Sequence, residues 1–294
     1  MKNMKQLTIG KFLIYIVVTL VACFCLLPLV LVVVVSFTAE EEIVRNGYSF
    51  FPSQWSLEAY KMLLENGTEV FRCYANSIGI TVIGTLLATC VTAMASFSLA
   101  NPSVQYRNGI SMFFFVTMVF NGGMVPWYIM CHNLGLTESY LALLIPNLIF
   151  SPFNLFLVRN YMQQLPSALM ESAKLDGAND GIIAFKIYFP LSKPILATVA
   201  LFYGIAYWND WWNAIMLVSD AKLYPIQYYL MKLQSDLNFM RQLQSSGIAG
   251  GGAFTPSKSL QMATAAITIG PIILLYPFLQ KYIVKGLVIG SVKG

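Results

Sequence analysis

Charge is what this chain most lacks. Asp, Glu, Lys and Arg supply 11% of its 294 residues, whereas 57% are hydrophobic and the mean hydropathy is +0.65. Long runs with so little charge exclude an ordinary soluble domain and describe a polytopic membrane protein. Histidine is nearly missing as well, since His132 is the one copy. With no second His beside it, and with Cys23, Cys25, Cys73, Cys90 and Cys131 forming no CxxC pair, the residues offer no zinc site. Those cysteines read as small hydrophobes in or beside apolar runs. No GxxxxGK[ST] occurs, so nothing in the chain builds a phosphate loop for ATP. The net charge of +5 has meaning through its placement between apolar runs, not as a nucleic-acid footprint.

What is present is a series of apolar windows. A lipid-spanning helix needs about 20 mostly apolar residues. Six windows qualify: 12–37, 77–100, 110–131, 141–158, 195–218 and 260–282. The first is too long for the apolar core of a signal peptide, roughly 7–15 residues, and reads as a retained anchor. With the N-terminus inside, the inner side holds Lys2, Lys5, Lys11, Arg107, Arg159, Lys174, Lys186, Lys193, Lys281, Lys285 and Lys293, eleven of the 18 bases. The positive-inside rule then puts both termini and the loop 160–193 in the cytoplasm.

Gly84, Ala88, Ala93 and Ala95 line the second span with small residues, and Ala263, Ala265, Ala266 and Gly270 do so in the sixth. Such faces let helix backbones approach closely in lipid. Gly270-Pro271 predicts a kink in the sixth span, and Asn121-Gly122-Gly123 a loosening of the third. In the outer loop 38–76, Glu40-Glu41-Glu42 reads as a solvated charge run. Leu57, Tyr60, Leu63 and Leu64 fall at helical spacing, which predicts a short amphipathic helix lying on the membrane or a partner. The outer loop 219–259 contains Ser245-Ser246-Gly247 and Gly250-Gly251-Gly252 and reads as flexible.

The loop 160–193 is too long for a plain connection between helices, which runs about 2–8 residues. Pro166-Ser167 is a helix start, and 168–174 are mostly good helix formers. Gly177 interrupts, 178–188 can form a second helix begun by Asn179 or Asp180, and Pro190 and Pro194 end it. Physics alone leaves two readings open: a docking knob for a partner, or an interfacial helix touching headgroups.

The stretch Glu171-Ser172-Ala173-Lys174-Leu175-Asp176-Gly177-Ala178, followed by Phe185, Ile187, Pro190 and Pro194, resembles the EAA loop of ABC importer permeases. That pattern is Glu-Ala-Ala, three residues to Gly, then Ile-x-Leu-Pro. Ser172 stands where Ala is usual, and Phe189 where Leu is usual. Leu134-Gly135-Leu136-Thr137, Trp208-Asn209-Asp210-Trp211 and the tail from Lys285-Gly286 to Val292-Lys293-Gly294 extend the resemblance over nearly the whole chain. They resemble the carbohydrate-uptake branch, its second, maltose-type permease, and within it the permeases for complex oligosaccharides or polysaccharides.

The resemblance implies an all-α protein of type I ABC importer permease architecture in the bacterial cytoplasmic membrane. It would be one transmembrane domain, 1–294, with the coupling loop 160–193 inside it. The implied partners are a second permease in a heterodimer, two cytoplasmic ATPases that carry ATP and Mg, an extracellular or periplasmic solute-binding protein, a carbohydrate substrate and the lipid membrane. The chain itself would bind no cofactor and hydrolyse no ATP. Glu171, Ser172, Ala173, Leu175, Asp176, Gly177 and Ala178 would couple to the ATPase. Glu171 would pair with an arginine of the ATPase groove, and Gly177 would allow the turn. Phe185 and Ile187 would anchor the loop to the spans, and the tail 290–294 would reach the ATPase dimer interface.

Sugars are held by aromatic faces and by amide or carboxylate hydrogen bonds. Tyr203, Tyr207, Trp208, Asn209, Asp210, Trp211 and Trp212 supply such groups at the outer end of the fifth span. Three readings stand: substrate contact, docking of the binding protein, and an aromatic belt at the membrane interface. Asp210 is the acid nearest a span interior and a functional candidate for that reason. The rival function is an ion-coupled secondary transporter. It calls for ionisable groups near the midplane, and these spans are nearly bare of them. A membrane enzyme would need a nucleophile and base within reach, and a passive pore would need charge rings or carbonyl filters; neither pattern is present.

Overall fold

The structure is a computed structural model that describes residues 9–65, 67–246 and 258–269. Among these residues the architecture is helical, with one isolated antiparallel bridge between Thr38 and Trp55. The described residues fall into two compact units: one holds those up to 68 and those from 232 onward, the other holds 69–231.

In the first unit, α1 (Ile9–Ser36) is apolar on all sides, and its 11–36 stretch buries none of its most apolar window. A helix that is apolar all round belongs in lipid or against another hydrophobic surface. The chain then turns through α2 (Glu40–Asn46) and α3 (Glu58–Glu65). The predicted amphipathic helix is α3, but its buried face, Ala59 and Leu63, packs on its own chain, against Ala263, Leu260 and Ile267 of the helix 258–269. Of the acidic run only Glu41 is exposed, as a solvated charge would be. Glu42 is buried and accepts the backbone N–H groups of Ser53 and Gln54, both at 2.6 Å. Glu40 is buried and accepts the N–H groups of Lys258 and Ser259 and the Ser259 hydroxyl, the last at 2.8 Å. Backbone donors supply what water would have given these carboxylates.

The second unit is built on α4 (Gly67–Ala100), 34 residues long. At 1.5 Å per residue that is about 51 Å, well beyond a hydrocarbon core of about 30 Å, so the second span continues as helix through 67–76 of the expected outer loop. The third window divides into α5 (Arg107–Val119) and α6 (Met124–Asn133), bent by 118°. The break sits where Asn121 Oδ1 takes the Gly123 N–H at 2.8 Å and Gly123 adopts a φ of +86°. The fourth window is also no continuous helix: α7 (Tyr140–Leu144) and α8 (Pro152–Met162) flank a turn containing Pro146 and a left-handed Asn147. Pro146 supplies no N–H to continue α7, and Pro152 at the start of α8 suits a new helix. The fifth is α12 (Lys193–Trp208) with the short α13 (Trp212–Leu217).

Two helices are therefore individually long and apolar enough to cross a membrane, or four counting bent pairs as one span each, among the described residues. The expected kink at Gly270-Pro271 and the tail 285–294 lie outside them, as do Gly247 and 250–252. The loop 219–259 is not mainly flexible linker. It contains α14 (Ile226–Ser245), whose Ile226, Leu230, Leu233 and Leu237 recur at helical spacing.

The core of the second unit joins α4, α8 and α12 through Ala88, Leu155, Val158 and Val199, each with no exposed surface. The small residues of α4 have the role their spacing suggested. A Cβ on Gly84 would collide with the Tyr207 ring, so only glycine admits that ring.

Candidate functional site

The loop after α8 folds into α9 (Ser167–Leu175), then α10 (Asp180–Ile183), a π-helical turn at Ala184–Tyr188 and the short α11 (Phe189–Leu191). The sequence carries explicit instructions for the corner between α9 and α10. Gly177 adopts a φ of +79°, which costs glycine little and other residues much. Its N–H reaches the Lys174 carbonyl at 3.0 Å, and the Ala178 N–H reaches that of Ala173 at 2.9 Å. These two bonds form a Schellman cap, completed by apolar packing of Ala178 and Ala173 in the same cluster. Asn179 then caps α10 by accepting the Ile182 N–H at 2.8 Å. Lys174 ties the corner further, with Asp180 at 3.8 Å and the Ser103 hydroxyl at 3.1 Å.

This framing decides which side chains face out. Met170 and Ala173 are buried, along with Ile183, Ala184 and Tyr188. Glu171, Ser172 and Asp176 are exposed, and Leu175 is 89% exposed. Of the two expected anchors, Ile187 packs on the core, whereas Phe185 is 65% exposed and stacks edge-on against Phe189 at 5.0 Å. Ile183, Ala184 and Tyr188 are buried in the same core as Ile187, around the π-helical turn. Pro190 marks the place in sequence, though not the π geometry.

The C-terminal end of α12 and the residues after it separate the seven candidate residues by burial. Tyr203, Tyr207 and Trp208 are buried. The Tyr203 hydroxyl bonds Thr92 at 2.7 Å and accepts the Ser151 N–H at 3.0 Å. The Tyr207 hydroxyl donates to the Leu144 carbonyl at 2.7 Å, and Asn213 Nδ2 to that of Pro146 at 2.9 Å. The carbonyls and N–H freed by the broken fourth window are thus satisfied by side chains of the fifth. Asn209, Trp211 and Trp212 are exposed, with the two indoles edge to face at 5.7 Å. Asp210, half-buried just ahead of α13, accepts the Asn213 N–H at 3.3 Å.

Two polar anchors beyond these candidates are Asn76 and Glu138. Asn76, inside α4, donates to the carbonyls of Lys222 and Tyr224 at 2.8 and 3.2 Å and accepts the Tyr140 hydroxyl at 3.0 Å. Glu138 accepts the N–H groups of Ser219 and Asp220 at 2.9 and 3.1 Å. The Ser219 backbone N–H, more than any other group, holds the Glu138 carboxyl below the usual carboxylate range. An amide amid apolar residues was the available signal for Asn76. Glu138 had none.

No family model matches the chain. It is 36% identical to the polygalacturonan/rhamnogalacturonan transport system permease protein YtcP of Bacillus subtilis (strain 168), over 96% of this chain and 97% of that one. It is 37% identical to the protein LplC of the same organism, over 93% of this chain and 91% of that one. Among solved structures, a chain of a bacterial ABC transporter involved in import of the acidic polysaccharide alginate matches with a TM-score of 0.80 and 28% identity, over 96% of this chain and 99% of that one.

Proposed function

The chain belongs to the permease subunits of ABC sugar-transport systems, and from that membership we propose a specific assembly and coupling route. It is a helical protein of the bacterial cell membrane, part of an ATP-driven importer, and this sets aside the ion-coupled alternative. In the proposed assembly it pairs with a second permease to line the path for an oligosaccharide or polysaccharide delivered by an extracellular binding protein. Two separate ATPase subunits hold ATP and Mg; this chain hydrolyses none. Six spans with both termini inside, and 160–193 as a cytoplasmic loop within a single domain 1–294, complete the reading.

Glu171, Ser172, Ala173, Leu175, Asp176, Gly177 and Ala178 form the proposed coupling element. The observation that carries it is the exposure of Leu175 beside Glu171 on a helix pair locked by the Gly177 corner. An apolar side chain held in water amid charges fits a protein groove better than a headgroup layer. Glu171 supplies a charge-assisted contact to an arginine of that groove. Removing it costs about 1.5–3 kcal/mol of docking energy, roughly a 10- to 100-fold weakening. Glu171→Ala is therefore expected to insert normally yet lose ATP-driven uptake; full uptake in that variant contradicts the docking role.

At the outer end, the exposed Asn209, Trp211 and Trp212, with Asp210 beneath them, are the part of the cluster proposed to meet sugar or binding protein. Tyr203, Tyr207 and Trp208 support that surface from within.

A further inference from the structure

We propose that the cytoplasmic end of α5 and α8 is a binding site for an anionic phospholipid, one that touches the coupling loop. This rests on the proposed topology, which puts 160–193 at the inner membrane surface. A cleft of about 380 Å³ lies between the α4–α5 turn, the end of α8 and α9. Its polar wall is Ser103, Arg107, Gln163, Ser167, Glu171 and Lys174. Arg107 is half-buried, and its guanidinium makes no hydrogen bond or ion pair among the described residues. A half-buried guanidinium without a partner is costly, and its planar fork matches a phosphate. Lys174 adds a second cation on the same wall, already steadied by Ser103 and Asp180. Glu171 brings one negative charge to the cleft but forms no ion pair with Arg107, which leaves the arginine free for a ligand.

The same two helices carry an apolar groove of about 550 Å³, lined by Met112, Phe115 and Met118 of α5 and Phe153, Phe156 and Leu157 of α8. Asn108 and Asn160 also line it; Asn108 is the neighbour of Arg107, and Asn160 lies one helical turn from Gln163 on the same face of α8. An aromatic and thioether groove whose lining begins one residue after an unpaired arginine, on the same two helices, has the polarity of an amphiphile: acyl chains along α5 and α8, phosphate at Arg107. Arg159 does not compete for it, because its Nε donates to the Leu99 carbonyl and its guanidinium lies over Phe156. Basic pockets between spans on the cytoplasmic side are where anionic headgroups bind. A lipid seated here contacts α9, so the coupling element would respond to membrane composition.

The test uses the whole transporter, purified with its partners in mild detergent and exchanged into nanodiscs of phosphatidylcholine with or without phosphatidylglycerol. Native mass spectrometry counts retained phosphatidylglycerol, a readout independent of uptake and so of the importer reading. Wild type is expected to retain it selectively, Arg107→Gln to lose about fivefold in retention, one basic residue's contribution, and Arg107→Lys to recover part. Coupled ATP hydrolysis should rise with phosphatidylglycerol in wild type only. Equal retention by wild type and Arg107→Gln, both assembled with their partners, overturns the proposal. So does displacement by inorganic phosphate with no preference for lipid, which would assign the cleft to a soluble anion. Crosslinks that fill the groove with the second permease would overturn it too.

Discussion

At the residue scale, two positions carry geometry that no neighbour can replace. Gly177 has open space around it, so a side chain there would meet no steric wall. The penalty for Gly177→Val is in the backbone, about 1–2 kcal/mol for the left-handed conformation and more for a β-branched residue. That variant should remain in the membrane and co-purify less ATPase, whereas wild-type recovery would mean the corner tolerates another path. Glu138 offers a titration test. Its folded carboxyl sits below the ordinary value because the N–H groups of Ser219 and Asp220 favour the charged form. The clamp therefore stabilises the fold above the unfolded carboxyl value, about 4.3, and is lost as pH falls through the lower folded value. Thermal unfolding of Glu138→Gln should differ from wild type at pH 7 and converge with it in strong acid; a constant difference across pH would remove the carboxylate from the account. Of these residues the sequence announced Gly177, through its place between two helical stretches. It gave no sign of Glu138, whose partners lie 81 and 82 positions away.

At the scale of elements, apolar length was legible and continuity was not. The windows were chosen by hydropathy, which does not register whether the backbone bonds close within one helix. In the third, Asn121-Gly122-Gly123 gave warning of the break. In the fourth, Pro146 lies inside an apolar window and hydropathy does not register it, yet the break there gives Tyr207 and Asn213 their acceptors. The acidic run at 40–42 shows a related limit: local composition says solvated, which holds for exposed Glu41, but for Glu42 and Glu40 backbone donors at 53–54 and 258–259 replace the water. The Schellman corner of the coupling loop has a twin at the end of α6, where Gly135 at φ +67° and Leu136 cap the His132 and Cys131 carbonyls. Both were visible as a glycine followed by an apolar residue. Helix packing gives a sharper test. Gly84→Ala pushes a methyl into the Tyr207 ring and should destabilise the second unit by about 1–3 kcal/mol, read as a lower melting temperature in detergent. Gly79→Ala on the same helix, with nothing near it, should be neutral. Equal effects would deny that α4 and α12 meet at Gly84.

At the scale of the whole molecule, the chain exposes what it cannot satisfy alone. The apolar window of α1 buries none of its residues, and Leu175 and Phe185 are exposed on the loop 160–193. In the proposed assembly, lipid and a second permease would cover the first, and an ATPase groove would take Leu175. The family was legible because its signals are local and adjacent in sequence, Glu171 through Gly177 above all. The sugar was not, because exposed Trp211 and Trp212 set a surface chemistry without a shape that selects one ligand. The most direct measurement of the central claim is to tag this chain, purify it gently from its native membrane and determine the mass and identity of its stoichiometric companions. The account predicts one further permease and two copies of a nucleotide-binding ATPase, with the permease kept and the ATPase held more weakly in Glu171→Ala. A lone chain or homo-oligomer whose uptake follows a proton or sodium gradient would contradict it.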